Sequence, residues 1–281
     1  MANSYLNIAS FIGTTLFYYL AIKPELTYDK VKDKSQYAEY VSSNYMFLGI
    51  YLLLVIMVQF IANTSIITND CGGNITENIG AGGVLTFIPW LIMFGGMITT
   101  LIIYPGLKSV FSDVIGYYCV SSSANKLLTE LLVDQKVENQ MKAENLSSDE
   151  KEALQSTADT IIKICGNTSI LINQIVPSNF NSYWEVLIPL MKDKYKTEND
   201  ETTEKRIELF NLVVLRDKIG EAMWYIYTGI LISSFVQLKI SQRGCVNNPK
   251  KMEENYQKFL DAQKTAQDKK ELATSTEYQL V

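Results

Sequence analysis

Any chemistry in this chain would have to come from four cysteines, scattered carboxylates and lysines, and one glycine-rich run, because its 281 residues include no histidine. Histidine is the usual general base, the usual proton shuttle and the commonest metal ligand, so those roles lose their ordinary carrier. Cys71, Cys119, Cys165 and Cys245 stand far apart. None are spaced C-x-x-C, so they do not form a zinc ligand set. The run "GAGG" at 80–83 opens an apolar stretch. It does not join a strand to a helix as a phosphate-binding loop does, and it reads as a flexible segment. There is no P-loop, no complete G-x-G-x-x-G and no G-x-S-x-G elbow. Acidic residues in the middle of the chain are spread over helical faces and read as solvated. The expectation is a non-enzymatic protein with no catalytic residue, no metal and no cofactor. The net charge of −5 also argues against nucleic acid, which needs a basic stripe.

The elements that would position any such residues are dominated by apolar helices. "YMFLGIYLLLVIMVQFIANTSII" (45–67) and "AGGVLTFIPWLIMFGGMITTLIIYPGL" (81–107) carry no charged residue. Each exceeds the ~20 apolar residues that cross the hydrocarbon layer of a bilayer. The joint "TNDCGGNITENIG" is short, polar and glycine-rich, which predicts a tight antiparallel hairpin. Pro89 and the Gly95-Gly96 pair are candidate bends in its second arm. "IGEAMWYIYTGILISSFVQLKIS" (219–241) is a further span. In it Trp224, Tyr225 and Tyr227 suit a membrane-interface belt, and Lys239 suits a snorkelling position at the far end. Gly229 and Ser233 form a small-xxx-small pair that permits close helix contact. Residues 5–22 are uncharged and moderately apolar. They fit a short span, an interfacial helix or an uncleaved signal anchor, and they lack the basic region and cleavage site of a cleaved leader.

If the 68–80 loop lies on side A of a membrane, residues 108–218 lie on side B and the tail returns to side A. Cys71 and Cys245 then share a side, so a Cys71–Cys245 disulfide becomes geometrically allowed where side A is oxidising. Lys23, Lys30, Lys32, Lys34, Lys108, Arg216 and Lys218 flank spans on side B. Lys239, Arg243, Lys250 and Lys251 do so on side A, and the balance leans towards side B as cytoplasmic. Glu221 and Lys239 fall at the ends of the third span and read as interfacial. The N-x-S/T triplets at Asn74 and Asn167 fall on opposite sides and read as chance.

Beyond Leu107 the pattern stays helical and becomes mixed. Leu127, Leu128, Leu131 and Leu132 mark one apolar face, and Ser147 and Glu150 are spaced as a capping box for another helix. A short helix breaks at Pro189. "TTEKRIELFNLVVLRDKIGEAMW" runs without a breaker into the third span, which predicts one long helix. After Cys245, Asn248 and Pro249 suit a helix start. Met252, Tyr256 and Phe259 form a narrow apolar stripe suited to a partner helix. The predicted fold is all-α, an integral membrane protein with a transmembrane helical hairpin, a polar helical domain, a further transmembrane helix and a C-terminal polar helix. Its divisions are 1–44 (N-terminal apolar helix and linker), 45–107 (hairpin), 108–218 (polar domain), 219–241 (span) and 242–281 (charged tail).

"WYIYTGILISSFVQLKISQRGC" followed by "NPKKMEENYQKF" resembles the C-terminal part of membrane-spanning virion proteins of large icosahedral double-stranded DNA viruses, the chlorovirus-like and mimivirus-like group. The similarity covers residues 224–256, an aromatic-rich span with T-G, a G-C pair and a polar helix. It implies a minor capsid component in the inner membrane of a virion, beneath the capsid, tying the shell to that membrane. Its expected partners are the lipid bilayer, capsid or other membrane proteins, and further copies of itself. The alternative function is an oligomeric membrane channel or transport accessory, with a pore lined by Ser, Thr and Asn.

Overall fold

The structure is a computed structural model and describes residues 5–71, 74–132, 168–243, 253 and 256–267. The expected capping box at Ser147 and Glu150, and Cys165, Asn167, Cys245, Asn248, Pro249 and Met252, lie outside the described residues. Those that are described form an all-helical protein with no strand among them, only an isolated bridge between Leu132 and Met191.

Helix α1 (Leu6–Ile22) ends in a π-turn, Tyr18–Ile22. Helix α2 (Lys34–Cys71) starts where the Asp33 carboxylate accepts the Ser35 backbone N–H at 2.7 Å, an N-cap. Helix α3 (Ile75–Ile103) contains Pro89, and a π-turn at Trp90–Phe94 follows immediately. Proline removes one backbone donor and its ring crowds the carbonyl four residues back. The helix nevertheless continues through Pro89, and the widened turn at Trp90–Phe94 lies just beyond it. Helix α4 comprises Ser109–Phe111, a π-turn at Ser112–Gly116 and Tyr117–Leu131. The short helices α5 (Thr168–Gln174) and α6 (Phe180–Leu187) follow, and the latter passes into a 3₁₀ turn at Ile188–Leu190 that holds Pro189. Helix α7 (Asp200–Arg243) is unbroken for 44 residues. The Asn199 side chain accepts the Thr202 N–H at its start.

Three helices, α2, α3 and α7, are long and apolar enough to cross a membrane, and α1 is a shorter apolar helix. Contacts fix their directions. Asn7 meets Asn63 and Thr15 meets Tyr51, so α1 and α2 are antiparallel. Asn63 meets Thr86, and Gly95 faces Leu52, so α2 and α3 are antiparallel. Gly229 faces Phe11 while Glu221 meets Tyr19, so α1 and α7 are antiparallel too. The four helices make an up-down bundle. Residues 6–22 therefore pack as its fourth helix, a role that their composition left open.

The described residues form two cores. One lies in this bundle, with Phe11, Tyr51, Trp90, Phe94 and Tyr225 fully buried or nearly so. The second joins α4, α5, α6 and the start of α7 around Leu128, Ile172, Phe180, Trp184 and Phe210. Helix α7 serves both. It gives Leu209, Phe210, Val213 and Val214 to one core and Tyr225, Ile232, Val236 and Ile240 to the other. Its inward stripe in the bundle runs Glu221, Tyr225, Thr228, Ile232, Val236 and Ile240, at the three- and four-residue steps of one helical face.

Close approaches explain several small residues. A Cβ on Gly229 would lie 2.1 Å from the Phe11 ring, and one on Gly82 would lie 2.1 Å from Thr64 Oγ1. The close contact at Gly229 is therefore with a phenyl ring. Gly116 is pressed against the backbone of Arg216, where a Cβ would sit 2.6 Å from the carbonyl oxygen. The Arg216 guanidinium is 1% exposed. It donates to the carbonyls of Ile172 and Ile175 and to the Asn173 side chain, tying the end of α5 to α7. Exposed carbonyls at a helix C-terminus carry partial negative charge, so an arginine suits this place.

Gly229→Val is expected to destabilise the purified protein by at least the ~1–3 kcal/mol typical of overpacking. Adding Phe11→Ala should recover part of the loss, because the two sites share one volume. Thermal unfolding of the two single variants and the double variant measures this coupling; additive losses would mean that the ring does not fill the Gly229 notch.

Candidate functional site

Four segments meet where the bundle adjoins the second core. Lys23 follows the last turn of α1, Tyr37, Tyr40 and Asn44 lie on α2, Lys108 follows α3, and Asp217, Lys218 and Glu221 lie on α7. Glu221 is 4% exposed. One carboxylate oxygen takes the Lys23 ammonium and, at 3.0 Å, the Tyr19 hydroxyl. The other takes Lys108 at 3.0 Å. Lys108 also reaches Asp217 at 3.0 Å. The Lys23 ammonium lies 5.0 Å from the centre of the Tyr19 ring, within cation–π range.

Two lysines and two carboxylates thus form a neutral cluster with little access to water. Burial alone would push the Lys108 ammonium down. The Glu221 and Asp217 carboxylates outweigh burial and hold it above its ordinary value. Such a cluster is favourable only while every member keeps its partner, since one lost partner leaves an uncompensated buried charge. Around it the chain is tied further: the Trp224 indole donates to the Leu107 carbonyl at 2.8 Å, and Phe111 packs edge-on against Trp224.

Beside the cluster is a cavity of about 330 Å³. Tyr37, Tyr40 and Asn44 form one wall, Leu101 and Ile102 another, and Pro177 helps close it from the second core. Its position at a seam between two packed units is one that ligand sites favour.

Inside the bundle a polar ladder connects the helices. Asn7 donates to Asn63 at 2.7 Å, Asn63 donates to Thr86 at 2.8 Å, and Gln59 donates to the Asn7 carbonyl and to Ser10 at 3.0 Å. These are neutral, short-range bonds that set the axial register of α1, α2 and α3.

Of the residues singled out in the sequence, Trp224 is half-buried against Leu107, and Tyr227 is exposed and near Phe111. Tyr225 is a correction: it is 1% exposed and packs on Tyr51 and Phe94 inside the bundle, so it does not face outward with its neighbours. Successive helical residues are ~100° apart, so three near-adjacent aromatics cannot share one face. Lys239 is exposed and lies 5.6 Å from the Phe235 ring centre. Tyr256 and Phe259 are exposed at 60% and 63%; Met252, their companion, is outside the described residues. Cys71 is disulfide-bonded and Cys119 is free; Cys245, the expected partner of Cys71, is outside the described residues. No group of three or more His, Cys, Asp or Glu able to hold a metal occurs among the described residues. Glu221 reads in sequence as an interfacial charge, and its two lysine partners, 198 and 113 positions away, are invisible there.

No protein-family model, curated protein or solved structure matches the chain.

Glu221→Gln should destabilise the protein by about 3–5 kcal/mol, the usual cost of stranding one side of a buried ion pair. Glu221→Gln with Lys23→Met should be more stable than Glu221→Gln alone. The raised Lys108 pKa gives a second test. Its folded form holds the proton more tightly, so the stabilisation is complete below the unfolded value of 10.5 and fades as pH climbs towards the folded one. The stability gap between wild type and Lys108→Met should therefore be level from about pH 6 to about pH 9 and shrink only above that range. A gap that closes near neutrality would contradict this assignment.

Proposed function

We propose that the chain is a non-enzymatic structural membrane protein that holds a rigid helical domain against one face of a bilayer. The observation that carries this reading is the single helix Asp200–Arg243, which supplies core residues to both units. At ~1.5 Å per residue it is a strut roughly 66 Å long. A helix that belongs to two cores cannot bend at their junction without opening one of them. The outer surface of the bundle supports a lipid environment: Leu53, Met57, Ile61, Ile88, Leu91, Ile92, Leu231 and Leu238 are all exposed. So large an apolar perimeter is foreign to a water-soluble monomer. The bundle interior is filled by Phe11, Trp90, Phe94 and Tyr51, which favours an anchor over a pore through a single chain.

The resemblance of residues 224–256 to virion membrane proteins makes the particle of a large icosahedral DNA virus the proposed setting. There the chain is a minor capsid component that fixes the shell to the inner membrane. The helical domain on side B offers the shell-facing surface, and the exposed Tyr256 and Phe259 offer a helix-docking stripe on side A. Because α1 packs as a fourth bundle helix, four crossings are proposed, with both ends of the chain on side A.

Tags at Met1 and Val281 should then show the same protease protection in sealed vesicles, and the protein should stay with the membrane through alkaline carbonate extraction. Tags on opposite sides would remove the four-crossing arrangement, and release by carbonate would remove the anchor. Purified particles should contain the protein and lose it together with lipid; its absence from particles would remove the viral setting while leaving the anchor intact.

A further inference from the structure

The cavity at the seam has a charge pattern that the ion cluster does not use up. Three ammonium groups line it, Lys23, Lys108 and Lys218, against two carboxylates, Asp217 and Glu221. Lys23 and Lys108 are committed to those carboxylates. Lys218 makes no direct ion pair within 4 Å among the described residues, although the Glu25 and Glu221 carboxylates lie near enough to favour its charge. On the same lining, and closer to Lys108, the hydroxyls of Tyr37 and Tyr40 have no hydrogen-bond partner among the described residues, and their rings stack with centres 6.4 Å apart. Asn44 Oδ1 is buried and without a donor. The cavity therefore offers one cation without a direct ion pair, two phenolic donors and one buried acceptor.

The remaining wall is apolar. Leu48 belongs to the start of the apolar stretch of α2, and Leu101 and Ile102 to the end of that of α3. The polar groups face these residues across a space of about 330 Å³, at the level where charged sequence gives way to the apolar perimeter. A cation with hydroxyl donors suits a phosphate diester. An orphan acceptor suits a hydroxyl or ammonium beyond that phosphate. An apolar wall at the bundle edge suits an acyl chain.

We infer that this cavity binds the headgroup of one anionic phospholipid, with Lys218, Tyr37 and Tyr40 on the phosphate, Asn44 on a headgroup hydroxyl, and the first acyl carbons against Leu48, Leu101 and Ile102. The inference rests on the membrane reading above and adds a specific lipid to it. A bound lipid would fill the seam between the two cores and brace the second one against the bilayer surface. The phosphate chemistry is shared by soluble phosphate esters, which lack the acyl chain that the apolar wall would hold.

The test uses the full chain in mild detergent and native mass spectrometry, with phosphatidylglycerol, phosphatidylcholine and free glycerol phosphate titrated separately. The expected result is one retained phosphatidylglycerol per chain, with about tenfold weaker retention of phosphatidylcholine and of glycerol phosphate. Lys218→Met should lower phosphatidylglycerol retention by about tenfold, the loss of one charge-assisted contact. The Tyr37→Phe/Tyr40→Phe pair removes two hydroxyls and keeps both rings, so it should weaken retention even if Lys218→Met perturbs the fold. Equal retention of the two lipids, or undiminished retention in the tyrosine pair, would overturn the proposal. Glycerol phosphate binding as tightly as the lipid would overturn it in favour of a soluble phosphate ester. Carbonate extraction of the membranes from which the chain is solubilised separates the two readings: a chain that stays in the membrane without lipid preference loses only this site, whereas a chain released into solution loses the anchor as well.

Discussion

The buried carboxylate of Glu221 governs how the chain can be assembled. It is 4% exposed and satisfied by Lys23, Lys108 and Tyr19, which come from the end of α1 and from the residue chain that leaves α3. A charge in such a place is tolerated only with its partners in reach. Helix α7 can therefore lie in the bundle only when α1 and α3 have both brought their ends to the same level. The interaction adds little net energy beyond what apolar residues of equal size would give. What it adds is discrimination, because a helix slipped by one turn would carry Glu221 ~5.4 Å away from both lysines. The neutral ladder Asn7–Asn63–Thr86 applies the same discrimination deeper in the bundle. The charged cluster fixes one end, the amide ladder fixes the interior, and close approaches at Gly82 and Gly229 fix the distance between helices.

From that constraint follows the role of the seam. Arg216, Asp217, Lys218 and Glu221 lie within about a turn and a half of one helix, yet they face different neighbours. Arg216 reaches the carbonyls of Ile172 and Ile175 in the second core, while Asp217 and Glu221 hold Lys108 at the end of the bundle. Glycines serve the same junction: Gly116 accepts the Arg216 backbone, and Gly220 lies against Ser112, where a Cβ would be 2.6 Å away. Helices α4 and α7 thus touch almost backbone to backbone where the chain passes from one core to the other. The joint is rigid because it is tightly packed and ionic, and no flexible linker separates the units at α7.

Much of this architecture could be read from sequence because it depends on local pattern. Uncharged runs longer than 20 residues announce α2 and α3, and the absence of a breaker between Thr202 and Trp224 announces α7. Two things were out of reach for physical reasons. Residues 5–22 are too short to declare themselves as a span, and their place depends on Asn7 and Thr15 finding Asn63 and Tyr51 on another helix. The ion cluster depends on lysines that, taken singly, read as ordinary flanking charges. Tyr225 is a different case, since the signal was present. Counting from Glu221 in steps of four and three leads through Tyr225, Thr228 and Ile232 to the buried face and leaves Tyr227 outside. Composition suggested an aromatic belt where periodicity separates the rings.

The same distribution of polarity bears on why the seam, and not the bundle centre, is the site worth attention. Polar groups in the bundle centre are neutral and linked in part by the Asn7–Asn63–Thr86 ladder, while Gln59 Oε1, Thr64 Oγ1 and Trp90 Nε1 there are buried without a partner in a packed interior that has no room for a ligand. At the seam a cavity stands beside such groups: Lys218 makes no direct ion pair, and Asn44 keeps a buried oxygen without a donor. Helix packing alone would have no use for either group, since an apolar side chain would fill the volume at lower cost. Unspent donors and acceptors around a cavity are what a ligand site needs before its ligand arrives. In the proposed membrane setting, the molecule at hand that can meet a cation, two phenols and an apolar wall together is a phospholipid.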